Sequence, residues 1–276
     1  MTLLLAKVFL APLCVVAVSL AGRRWGIGVA GLLGGLPVVA GPILLAETLI
    51  HGAAFGAEAA AGTLLGLAAL TAFVVVYGRT AQARGPVPSV LCGWAAFLLC
   101  VALLRLVHPP PALSLLLVGA CFALGLRLLP SSSEPLAVLT PPPWDLAARA
   151  LAALSLVLAL TAVSGALGPH LSGLLAPFPI ITSILAVFTH AHGGTAQLET
   201  LLRNFLLGFY GFAAFCFVLA VALPGLSTAA AFGLATAAAL VVQAALFLLA
   251  DPSAASDFDP TPVGPESDAP GGGAPG

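Results

Sequence analysis

The 276-residue chain is 61% hydrophobic and 7% charged, with net charge −1 and mean hydropathy +1.14. Such a chain has too little polar surface to cover a water-soluble globule, and its near-neutral balance offers no basic face for nucleic acid. It reads as an all-α, polytopic membrane protein.

Apolar runs long enough to cross a bilayer recur along nearly the whole chain. Nine spans are expected, near 2–21, 27–50, 56–78, 88–107, 111–129, 146–166, 169–190, 197–221 and 225–250. Span one ends in Ser19-Leu20-Ala21, a passable signal-cleavage site, but Arg23 and Arg24 follow at once and retention is expected. Span five is the shortest, set between the Pro109–Pro111 run and Pro130. A Ser/Pro-rich loop then leads to span six. After Ala250 the composition turns acidic and rich in Pro and Gly, which predicts a disordered tail over 251–276. The organisation expected is membrane repeat one over 1–107, a linker span and loop over 108–145, and membrane repeat two over 146–250.

The repeat itself rests on one constant, ungapped offset. Gly26 falls on Gly168, Pro37 on Pro179, Gly52 on Gly194, Leu64-Leu65-Gly66 on Leu206-Leu207-Gly208, and Ala72-Phe73 on Ala214-Phe215. Extending the offset places Lys7 on Arg149. Two four-span units separated by one span would enter the membrane in opposite orientations. With the N-terminus outside and the C-terminus cytoplasmic, Arg23, Arg24, Arg79, Arg84, Arg127, Arg149 and Arg203 gather on the inner side. Lys7 and Arg105 alone remain outside.

The stretch Ser172-Gly173-Leu174-Leu175-Ala176-Pro177-Phe178-Pro179 resembles the glycine-leucine, then Phe-Pro core of the GlpM-like small inner-membrane proteins. The chain looks like a tandem duplication of such a unit, with Leu36-Pro37 where that pattern has Phe-Pro. The resemblance implies a bacterial-type inner membrane and a link with exopolysaccharide (alginate-like) production.

Prolines interrupt two spans at matching depth. Pro37, Gly41 and Pro42 lie in span two, and Pro177 and Pro179 in span seven. Thr182 and Ser183 follow the second break with candidate hydroxyls. Paired broken helices near the midplane are where inverted-repeat transporters hold substrate, and kinks for packing are the bland alternative. Asn204 is the polar residue of span eight most able to face the bundle. Glu47 and Lys7 share an outer level and form a candidate pair for ion or proton coupling. Glu199 and Arg203, spaced i, i+4, read as a solvated helix pair. His190 and His192 read as interfacial loop residues, and Gly193-Gly194 as a helix stop.

No HExxH, GxSxG or carboxylate pair points to an enzyme, and neither cofactor nor metal is expected. The expected function is a small permease, with an accessory or scaffold protein in envelope assembly as the alternative. The expected partners are the lipid bilayer and a small-molecule substrate, while a homo-oligomer is left open.

Overall fold

A computed structural model describes residues 2–130, 142, 144–163 and 173–250, the side chains of 2–11, 157, 159–163, 249 and 250 apart. The expectations for the 131–141 loop, the 164–172 junction and the acidic tail lie outside the described residues.

Nine helices and no strand occur among those residues: α1 (Thr2–Trp25), α2 (Ile27–Gly34), α3 (Ala40–His51), α4 (Ala53–Thr80), α5 (Pro86–Leu104), α6 (Pro111–Leu128), α7 (Asp145–Val163), α8 (Ile180–Ala222) and α9 (Thr228–Ala250). Among the described residues, five apolar segments are long enough to cross a membrane: α4, α5, α6, α9 and a 50-residue stretch, Gly173–Ala222, that contains α8. Span two is divided between α2 and α3, which rise only about 12 and 18 Å. Spans seven and eight run into one another as α8.

The helix stop expected at Gly193-Gly194 coincides with a break in the helical path of α8. Gly194 has φ 70°, in the region that favours glycine, and helix resumes immediately after it. Gly52, its counterpart in the first repeat, has φ 92° between α3 and α4. Both pairs of spans therefore turn on a single glycine, with no loop between them. Pro86 and Pro111 open their helices at positions where an N–H would go unused.

The core is built around α4 and the second half of α8. In α4 the apolar window is 72% buried, against 28% for α5 and 22% each for α6 and α9. Phe73, Tyr77, Phe205 and Phe209 are among the largest fully buried side chains. The outer helices expose Leu98, Leu99, Leu116, Leu124, Leu240 and Val241, a surface suited to lipid rather than water.

The direction of the two central helices follows from their contacts with α6. Gly125 faces Thr71 and Leu206, and Gly78, further along α4, faces Leu202 together with Leu129 just past the end of α6. Numbering rises along α4 where it falls along α8, so the two run antiparallel. Gln82 at the end of α4 accordingly donates to Glu199, near the start of the second half of α8, at 3.0 Å.

Candidate functional site: two broken helices facing each other

Proline at 37 has no N–H and collides with the carbonyl four residues back, so α2 cannot continue through it. The chain answers with three hydrogen bonds. Leu36 N donates to Leu33 O at 3.2 Å, Val38 N to Leu36 O at 2.8 Å, and Gly41 N to Pro37 O at 2.8 Å. The same three bonds recur at the equivalent positions of the second repeat. Phe178 N donates to Leu175 O at 2.9 Å, Ile180 N to Phe178 O at 2.7 Å, and Ser183 N to Pro179 O at 2.9 Å. The middle bond spans two residues, and Pro179 has φ −73° and ψ 57°, which makes it the centre of an inverse γ-turn. Each break is thus a tightened last helical turn, a γ-turn on proline, and a new helix whose first acceptor is that proline's carbonyl.

Each break packs on the central helix of the other half, and the contacts are reciprocal. A methyl group added to Gly66 would stand 2.6 Å from Leu174 O, and one added to Gly208 would stand 2.6 Å from Leu32 O. Likewise Gly31 lies against Leu201 and Asn204, while Gly173 lies against Ala59, Gly62 and Thr63. By the repeat offset Leu174 is the counterpart of Leu32, Leu201 of Ala59, and Asn204 of Gly62. Only glycine permits so close an approach of two backbones.

The polar groups differ between the breaks. Leu36 N is committed to Leu33 O, so Leu32 O loses its helical donor. Gln243 Nε2 of α9 donates to it at 3.2 Å, while Gln243 Oε1 is buried with no hydrogen-bond partner among the described residues. At the second break, Trp94 Nε1 of α5 donates to Ser183 Oγ at 2.9 Å. Phe178 lies against both Trp94 and Phe97, with ring centroids 6.0 and 5.4 Å away. In each case the donor comes from the last long helix of the opposite half. Neither Trp94 nor Gln243 stood out in the sequence. An indole or a primary amide in an apolar run was the available signal, since either needs a partner when buried.

The residues expected at the breaks do not form one set. Pro177, Pro179, Thr182 and Ser183 are buried in the second break, whereas Pro37 is half-buried and Gly41 buried in the first. Pro42 is exposed in the first turn of α3, where the missing donor costs nothing, so it is not part of the interruption. Asn204 is half-buried against Gly28 and Gly31, and its Nδ2 donates to Thr200 O at 2.8 Å. Glu47 is half-buried near the end of α3, its carbonyl 3.2 Å from His51 Nδ1. The Lys7 side chain, and with it the Lys7–Glu47 pairing, lies outside the described residues.

Two further expectations are corrected. Glu199 is buried at 4% exposure and accepts from Gln82, so it is not solvated. Arg203 reaches the carbonyls of Leu129 and Pro130, at 3.4 and 3.3 Å. His190 and His192 are helical rather than in a loop. His190 Nδ1 stands 3.5 Å from the Tyr77 hydroxyl.

A charged cluster lies at the same end of the bundle. Asp145 opens α7 ahead of its apolar run and its side chain is fully buried. Arg23 of α1 donates to its Oδ2 at 2.8 Å, and Arg149 of α7 at 2.9 Å. His192 Nδ1 is 3.8 Å from its Oδ1. Burial pushes the Asp145 carboxyl up, but the hydrogen bonds and charges of Arg149 and then Arg23 outweigh this and hold it below the usual carboxylate value. Sequence reading placed Asp145 in a linker, because its partner on α1 stands 122 residues away. No family model, curated protein or solved structure matches this chain.

Proposed function

We propose that the chain is a nine-span inner-membrane protein of two inverted four-span repeats, working as a small permease by alternating access around its two broken helices. One observation carries the reading: the same three backbone hydrogen bonds at 36–41 and 178–183, each break seated on the antiparallel central helix of the other half. Inverted pairs of broken helices are the architecture in which one repeat rocks against the other around a midplane site. The arginines of the Asp145 end follow the positive-inside rule for an N-out, C-in orientation.

A second reading is a non-transporting scaffold in envelope or exopolysaccharide assembly, in keeping with the GlpM-like resemblance. It is favoured by the way Trp94 and Gln243 occupy polar groups that a substrate would otherwise use.

A substrate-free experiment separates the two. Ser183, at 2% exposure, is replaced by cysteine in a chain otherwise lacking cysteine. A rocking permease exposes that thiol to membrane-impermeant reagents from each face in turn. A static scaffold protects it from both.

A further inference from the structure

We propose that Arg23, Asp145 and Arg149 form a one-sided latch, closing the charged end of the bundle between the two halves of the chain. The inference rests on the permease reading and adds to it which end is held shut in this conformation.

The cluster bridges the halves. Arg23 belongs to the first helix of one, while Asp145, Arg149 and His192 belong to the other. A fully buried carboxylate is stable only while its cations stay in place, and separating α1 from α7 would take Arg23 away and leave Asp145 with Arg149 alone. The grip is incomplete, as a releasable latch requires. Both guanidiniums take Oδ2, and Oδ1 is buried with no hydrogen-bond partner among the described residues. His192 Nδ1 is 3.8 Å from Oδ1 but 3.0 Å from Phe188 O. Arg149 also lies 4.9 Å over the Phe188 ring, which ties α7 to α8 and leaves Arg23 as the link to α1.

The opposite end has no equivalent at the matching positions. By the repeat offset, Asp145, Arg149, His192 and Arg23 correspond to Leu3, Lys7, Ile50 and Gly165. No acid occurs among them to join the halves. The two ends of a pseudo-symmetric bundle are thereby made unequal, and the population is biased toward closure at the Asp145 end.

The test uses two reporters in the full-length, otherwise cysteine-free protein in liposomes. Ser19→Cys lies one turn below Arg23 at a position 6% exposed, and Thr48→Cys lies near the opposite end at a position 2% exposed. Asp145→Asn should raise the alkylation rate at position 19 by about tenfold or more and lower it at 48. Asp145→Glu should keep the resting rates. Arg23→Gln, at a residue one-third exposed, serves as a second variant with less to lose in folding. A rise at 19 with no fall at 48 would uphold the latch and contradict alternating access. An unchanged rate at 19 in whichever of the two variants elutes as folded protein would overturn the latch.

Discussion

The two breaks have the same backbone and different side chains. At 36–41 the flanking residues are aliphatic or glycine, and an amide from α9 meets a freed carbonyl. At 178–183 an aromatic cage and a hydroxyl take their place. Backbone path is therefore set by features the halves share, namely one proline and the facing glycines. Chemistry at the break is set by features they do not share. The same backbone path thus carries two different sets of side chains.

The shared part should break most severely. Gly66→Ala and Gly208→Ala each push a methyl group to 2.6 Å from a carbonyl oxygen, and each should cost about 1–3 kcal/mol. Unfolding of the purified protein in mild detergent would measure this. Near-equal losses support the equivalence of the two contacts, and a loss at one alone would count against it.

Next in size are Pro179→Ala and Pro37→Ala. Each adds an N–H whose natural acceptor, Leu175 O or Leu33 O, is already engaged. At the buried Pro179 the unmet donor should cost about 1–3 kcal/mol. The half-buried Pro37 should lose less, because its looser packing leaves the segment room to shift until Leu33 O accepts from the new N–H as well. Equal costs would mean that burial does not distinguish the breaks.

The unshared part should give smaller, local effects. Trp94→Phe removes the donor to Ser183, and Gln243→Leu removes the donor to Leu32 O, each worth about 0.5–1.5 kcal/mol. The Gln243 change should fall at the low end, since it also removes a buried, unpartnered Oε1. Pro42→Ala, exposed and in a first turn, should stay within about 0.5 kcal/mol of the parent. A larger loss would return Pro42 to the interruption.

Much of this fold was legible in the chain, for a physical reason. In a bilayer each backbone polar group must be satisfied within its own segment, so apolar run length nearly dictates helix position, and proline dictates where a helix stops. The matched Gly52 and Gly194, and Pro37 and Pro179, announced themselves by spacing. What spacing left hidden was pairing across the bundle. Asp145 with Arg23, Gln82 with Glu199 and Trp94 with Ser183 lie far apart in sequence. Glu199 looked solvated because an i, i+4 partner was at hand, yet the cross-bundle amide claimed it.

The central claim is that the two halves are inverted, and topology tests it most directly. Single cysteines at Ala53 and Thr195, which begin the equivalent stretches of α4 and α8, are treated in intact cells with a membrane-impermeant thiol reagent. The antiparallel central helices place them on opposite faces, so position 53 should react from outside and 195 only after the membrane is breached. Reaction of both from the same face would contradict the inverted arrangement and, with it, the permease.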